Sequence, residues 1–335
     1  MKITVAIRTD GSTVLGNGHI IRMLGLAREL GNRSIDLVFI IKSDDFWIKS
    51  IQENYRVVAL DEKEDIDYLC NILKENEISH FVYDTRNDLE KAEIEYISKK
   101  SKTKTIVIDT PEDTRLAADC VLYPPIQQVK EWSWKDFKGK LFSGWEYVLL
   151  RNEFLNKRPL AVITHKVLLS FGSTDPFFLT EKFLKSIVKC GEWYKSYEFI
   201  LVVGPQFDRL SVIEETTEFK ALNIKVYQSP TDIAQIYSLV DFAFISFGVT
   251  AYELACLKIP MLYISISEDH EKSAKIFETI GIGTHLGRPD TFTNDFKNKT
   301  EAFVNNLNSV SLQYQKNNFG TGICNWDKII KAIIE

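Results

Sequence analysis

Short β-branched runs alternate with longer amphipathic stretches along almost the whole chain, and that alternation restricts the fold more than any other feature. KITVAIR (2–8), DLVFII (36–41), YRVVAL (55–60), HFVYD (80–84), KTIVID (104–109) and DCVLYP (119–124) read as strands. Between them GHIIRMLGLAREL (18–30) places Ile20, Leu24, Ala27 and Leu30 on one helical face, and IDYLCNILKENE (66–77) repeats the habit. Apolar strands separated by one-faced helices build βαβ units, so a parallel sheet covered by helices is expected. The alternation lapses over 125–165, where Pro124, Pro125, WSWKDF (132–137) and LNKRPLAVI (155–163) intervene, and a domain boundary with a crossing linker is expected there. It restarts at KVLLSF (166–171), EFILVVG (198–204), IKVYQS (224–229), FAFISF (242–247) and PMLYISI (260–266). The expected fold class is α/β, with two Rossmann-like doubly wound domains, 1–155 and 156–335, facing a cleft. The last helical stretch, NWDKIIKAIIE (325–335), fits its own domain or a return to the first.

Open parallel sheets bind ligands beyond the carboxyl ends of their strands, so the loops after strands are the candidate sites. The loop after the first strand reads VLGNGHIIRM (14–23). Gly16 and Gly18 begin a dinucleotide fingerprint, but His19 and Arg22 follow where a third glycine is needed, and no acidic residue closes the second strand to hold a ribose. What remains is a histidine in the first turn of a helix, beside glycines that permit close approach. The helix macrodipole there favours the uncharged ring, which suits a general base. Arg22, one turn on, is placed to meet a phosphate or a carboxylate. The plainer alternative makes His19 a cap and Arg22 a solvated charge. Just upstream, RTDGS (8–12) sets Arg8 and Asp10 at the end of the same strand. Asp10 would orient a substrate hydroxyl, fix the tautomer of His19, or serve a local Asp-Gly turn.

In the second half the first strand ends in SFGSTDP (170–176), where Gly172 and Ser173 offer amide and hydroxyl donors to a diphosphate and Asp175 can cap the next helix. SFGVTAYELACLKIP (246–260) repeats the design with Ser246, Gly248 and Thr250. Glu253 would take the hydroxyls of a ribose or stand as an ordinary charge in the early helix. In ISEDHEKSAKIFETIGIG (266–283), Asp269 and His270 open a helix and are candidates to touch a sugar or an attacking water, with Asp269 as an N-cap the alternative.

Composition removes other classes. A net charge of -5 with 26% charged residues gives no general attraction to nucleic acid or anionic lipid. The five cysteines are odd in number and never in a C-x-x-C pair, and the five histidines show no metal-ligand spacing, so buried thiols, no metal and no cofactor are expected. MKITVAIRTD lacks the apolar run of a signal peptide and no stretch reaches membrane-spanning length, which points to the cytoplasm; oligomeric state is left open.

Taken in order, the G-x-G-H-x-x-R block with R-x-D before it, GWEYVLLRNEF (144–154), FGSTDP, and S-x-x-x-x-x-x-E-L within 246–254 resemble the family of UDP-2,4-diacetamido-2,4,6-trideoxy-β-L-altropyranose hydrolases and the related spore-coat polysaccharide proteins. The resemblance runs from Arg8 to about Gly283 on short motifs. It implies a two-domain GT-B fold of the MurG-like kind. It further implies a small-molecule partner, a UDP-linked acetamido deoxy sugar, and a role in nonulosonic (pseudaminic-type) acid or surface polysaccharide synthesis. His19 would activate water for inverting attack at the anomeric carbon, with UDP departing. The diphosphate and uridine contacts would fall on Gly172, Ser173, Ser246, Gly248, Thr250 and Glu253. The family's Asn-Gln pair falls on Asp269-His270, and its Asp-His-Tyr after the fourth strand falls on Asp84-Thr85-Arg86. With Asp269 as a base for an acceptor hydroxyl, the alternative is a GT-B glycosyltransferase. Trp132 and Trp134 would then form an acceptor platform, or else pack the linker. A silent sugar-nucleotide-binding subunit is the third reading, and a base at His19 argues against it.

Overall fold

The computed structural model describes residues 2–11, 17–60, 66–86, 88–157, 163–316 and 322–335, with only the backbone at 312–316. By internal contacts the chain divides into two units, Met1–Arg151 with Gly322–Glu335, and Asn152–Thr321.

In the first unit seven strands pair in parallel: β1 (Thr4–Thr9), β2 (Asp36–Ile41), β3 (Arg56–Ala59), β4 (His80–Asp84), β5 (Lys104–Ile108), β6 (Cys120–Tyr123) and β7 (Lys140–Ser143). Their order across the sheet is β3-β2-β1-β4-β5-β6-β7. The order reverses between β1 and β4, whose registers pair Thr9 with Asp84, so the loops leaving these strands diverge and open a switch point. Helices α1 (Gly18–Asn32), α2 (Asp45–Gln52), α3 (Ile66–Glu75) and α4 (Lys91–Ser101) connect the strands. On one face Val38, Ile40, Phe81, Tyr83 and Val107 pack against Leu69 and Leu73 of α3 and Ile94 and Ile97 of α4. α1 buries Ile20, Met23, Leu26, Ala27 and Leu30, while Leu24, expected on that stripe, is half-buried. Each large side chain so buried contributes about 1.5–3 kcal/mol. The last helix, Trp326–Ile334, contacts α1 and β4 and so belongs to this unit.

The stretch 125–151 is part of the first unit rather than a linker. It holds the short helix Gln128–Glu131 and β7, an edge strand that is mostly exposed and therefore carries no apolar run to reveal it in the sequence. The division falls after Arg151.

The second unit has β8 (Lys166–Ser170), β9 (Glu198–Val203), β10 (Asn223–Gln228), β11 (Phe242–Ser246), β12 (Met261–Ile264) and β13 (Gly283–Gly287), all parallel in the order β10-β9-β8-β11-β12-β13. Its switch point lies between β8 and β11. Phenylalanines dominate the core: Phe183 lies 4.5 Å from Phe171 and 4.7 Å from Phe292, centroid to centroid. β13 escaped the sequence reading because GTHLG has no β-branched run. Among the described residues no helix is long and apolar enough to cross a membrane.

Candidate functional site

The first unit gathers charge at its switch point. His19 enters from the first turn of α1, and Asp84 closes β4 with 0% exposure. The ring Nδ1 lies 2.7 Å from Asp84 Oδ1. Arg22, one turn further along α1, clasps the same carboxylate with Nε at 2.7 Å from Oδ2 and with Nη2 on Oδ1, and sends Nη1 to Asp109 Oδ2 at 2.7 Å. Asp109 follows β5 in the left-handed region at φ 52, a conformation aspartate tolerates better than most residues. Arg86 donates to the Asp109 carbonyl, and its Nη2 lies 3.7 Å from the Asp109 carboxylate.

Burial alone would raise the Asp84 carboxyl, but Arg22 and His19 outweigh it and hold the group well below the usual carboxylate range. The ionised carboxylate can only accept, so the Nδ1 atom 2.7 Å away carries the ring proton. The approach of Arg22 Nη2 to Nδ1, 3.1 Å, is then two donors sharing one oxygen. In the neutral ring Nε2 is left as the acceptor, and the His19 side chain is 18% exposed.

A second ionic group borders the first. Arg8, 1% exposed, donates to both oxygens of Asp10 and reaches Asp88 at 2.9 Å. Lys42 adds its backbone amide to Asp10 at 2.8 Å and its ammonium to Asp88 at 3.1 Å. Asp10 therefore holds Arg8 and the exit of β2, and the carboxylate on His19 is Asp84. Neither does Arg22 stand as a solvated charge: Asp84 and Asp109 take three of its nitrogens. Gly16 lies outside the described residues, and Gly18 is the first residue of α1. Asn17, 6% exposed, keeps both side-chain amide atoms buried without a partner among the described residues, two positions before His19.

In the second unit the loop after β8 is built for close approach. Gly172 has φ 91, a region open to glycine. Ser173 Oγ is buried without a partner among the described residues, and it sits where a Cβ on Gly204 would come within 2.0 Å, so only glycine fits there. Asp175, 1% exposed, accepts from the amides of Leu179 at 2.8 Å and Thr180 at 2.7 Å, capping the helix Leu179–Val188. Arg209 Nη2 lies 3.3 Å from this carboxylate. After β11, half-buried Ser246 precedes Gly248, which begins the helix Val249–Leu257 with no side-chain cap, and Thr250 stands in its first turn. Glu253 is 2% exposed, which removes the solvated-charge alternative. Ser267, rather than Asp269, caps the helix Glu268–Thr279 by accepting from the His270 amide at 3.1 Å. Asp269 is half-buried in that first turn, and the His270 ring faces Phe247 at 6.0 Å.

Trp132 and Trp134 pack inward. Their rings lie 5.3 and 6.1 Å from Tyr123, and the Arg115 guanidinium lies 5.3 Å from each. Four of the five cysteines are buried and Cys256 is half-buried. Among the described residues no group of three or more His, Cys, Asp or Glu is arranged to hold a metal. Reasoning from sequence missed Asp109, Asp88 and Asn17, and it named Asp84 only through the resemblance, without its contact to His19 and Arg22. The signal for Asp84 and Asp109 was present, since HFVYD and KTIVID each end an apolar strand on a carboxylate.

No family model matches the chain. An uncharacterized protein of Methanocaldococcus jannaschii, MJ1062, is 29% identical over 279 residues, covering 79% of this chain and 56% of that protein. The chain thus spans little more than half the length of this relative. The spore coat polysaccharide biosynthesis protein SpsG of Bacillus subtilis is 23% identical over 291 residues, covering 84% of this chain and 83% of the relative. Among solved structures, MurG of Acinetobacter baumannii superposes with a TM-score of 0.66 at 12% identity over 99% of both chains. The spinosyn rhamnosyltransferase SpnG, complexed with thymidine diphosphate, gives 0.67 at 10% identity over 100% of both. At such identities the likeness speaks for architecture alone: two doubly wound parallel sheets with flanking helices, the fold of GT-B glycosyltransferases.

Proposed function

We propose that this chain is a nucleotide-sugar hydrolase of surface-polysaccharide or nonulosonic acid synthesis, with His19 as its general base. One observation carries the reading: Nδ1 of His19 is pinned to a buried, ionised Asp84, which leaves Nε2 to take a proton. Nε2 accepts a proton from water as the water oxygen bonds to the anomeric carbon. The bond from that carbon to the diphosphate breaks, and its electron pair leaves with the nucleotide. Asp84 balances the charge the ring acquires. In the second unit the backbone amides at Gly172 and Ser173, the uncapped start of the helix Val249–Leu257, and the hydroxyls of Ser246 and Thr250 offer donors for a diphosphate. Glu253 is assigned the ribose, Asp269 and His270 the sugar or water, and UDP follows from the family resemblance. Trp132 and Trp134, the candidate acceptor platform, pack on Tyr123, which supports water over an acceptor sugar as the nucleophile. The SpsG name, spore coat polysaccharide biosynthesis, supports the pathway class.

The test is release of free UDP from a panel of UDP-sugars without acceptor, by wild type and His19→Ala. Release that falls about a hundredfold or more in the variant supports the reading. Release only after an acceptor sugar is added makes the protein a glycosyltransferase, and saturable binding without turnover makes it a silent subunit.

A further inference from the structure

Arg22 was expected to bind substrate, yet its hydrogen bonds run inward. Nε and Nη2 hold the two oxygens of Asp84, Nη1 holds Asp109, and the side chain is only 12% exposed. A planar guanidinium gripping both oxygens of a carboxylate fixes that carboxylate in rotation as well as position. Asp84 Oδ1, the oxygen Arg22 shares with His19, is thereby set where the ring Nδ1 meets it at 2.7 Å. Arg22 needs an anchor of its own, or it would swing with Asp84. Asp109 supplies one from a separate strand, held in a left-handed backbone conformation that the surrounding contacts must impose. Arg86 closes the chain by donating to the Asp109 carbonyl.

We infer that Arg22 is a positioning residue that acts through Asp84: braced by Asp109, it holds the carboxylate so that His19 keeps its proton on Nδ1 and presents Nε2. Its guanidinium is committed to that task and leaves phosphate recognition to other groups. The kinetic part of this inference rests on His19 being the base, while the tautomer part stands without it.

Both parts are read on the full chain. Nitrogen-15 NMR of the imidazole rings, with His19 assigned by its loss in His19→Gln, reports which nitrogen is protonated. The wild type is expected to show Nδ1–H. Arg22→Gln and Asp109→Asn are both expected to shift population to Nε2–H while circular dichroism stays native; Asp109→Asn keeps a side chain suited to the left-handed backbone and serves if Arg22→Gln does not fold. With UDP-N-acetylglucosamine as probe, kcat is expected to fall about tenfold or more while KM changes by less than about twofold, the pattern of an interaction made only in the transition state. An unchanged tautomer in both variants overturns the inference, as does a rise in KM with kcat intact, which would return Arg22 to substrate binding. If the wild type releases no UDP from any sugar, the hydrolase reading fails, and the tautomer comparison still decides the role of Arg22.

Discussion

Two carboxylates with nearly the same burial behave in opposite ways. Asp84 of the first unit is 0% exposed and Asp175 of the second is 1% exposed, and each lies at or just past the end of a strand beside its sheet's switch point. Burial pushes Asp175 up, and the two helix amides and Arg209 do not overcome it. At Asp84 the same burial is outweighed by a bidentate arginine and an imidazole. One carboxyl serves as a helix cap, and the other is an anion held in place for its charge. The difference extends to the surrounding loops. Those of the first unit gather an imidazole with paired arginines and carboxylates, whereas those of the second set glycines, hydroxyls and helix starts beside the Asp175–Arg209 pair. Proton chemistry needs the first arrangement and diphosphate binding needs the second.

The largest expected effect comes from removing the charge at Asp84. Asp84→Asn keeps the shape but can donate to Nδ1 and so favours the wrong tautomer; turnover of UDP-sugars is expected to fall roughly a hundredfold to ten-thousandfold, as for a triad carboxylate. Leaving Arg22 without its buried partner is also expected to cost about 3–5 kcal/mol of stability, measured by urea unfolding. Gly204→Ala tests the other unit. Its Cβ would meet Ser173 Oγ at 2.0 Å and displace the loop after β8, so UDP affinity by calorimetry is expected to weaken. A loss of about tenfold corresponds to 1.4 kcal/mol. Unchanged affinity would detach that loop from nucleotide binding and break the division of labour.

The smallest effect is the sharpest on the comparison itself. Asp84 is depressed below its unfolded value of about 3.9, so its ion pairs stabilise fully above that pH and are lost only as pH falls through the still lower folded value. Asp175 is raised, so the wild type gains stability as pH falls through the folded value of that group toward about 3.9. Between neutrality and about pH 4, Asp84 stays ionised and its own titration adds no pH dependence to the penalty of Asp84→Asn, whereas the titration of Asp175 is expected to make the penalty of Asp175→Asn grow. Parallel behaviour in urea titrations would show that the two carboxylates do not differ as described.

Much of the architecture was legible because buried parallel strands leave a plain trace. HFVYD is wholly buried as β4, and GHIIRMLGLAREL begins α1 at Gly18. β7 and β13 left no such trace, since an exposed edge and a glycine-flanked run have little apolar contrast to offer. The candidate site was legible in its chemistry and less so in its partners. His19 and Arg22 stand out as rare residues beside glycines, but the carboxylates they meet are 62 to 87 positions away in sequence. Only the strand order β1-β4-β5 brings Asp84 and Asp109 to α1. Asp10, near in sequence, was the natural guess for the carboxylate on His19, and Arg8 already claims it.

Substituting glutamine for His19 offers the most direct measurement. Its amide can still donate to Asp84, yet it cannot accept a proton at the place of Nε2. UDP binding by calorimetry is expected to match the wild type, while single-turnover release from a UDP-sugar substrate drops about a hundredfold or more. A His19→Gln protein that binds and turns over like the wild type would contradict the imidazole's role as base.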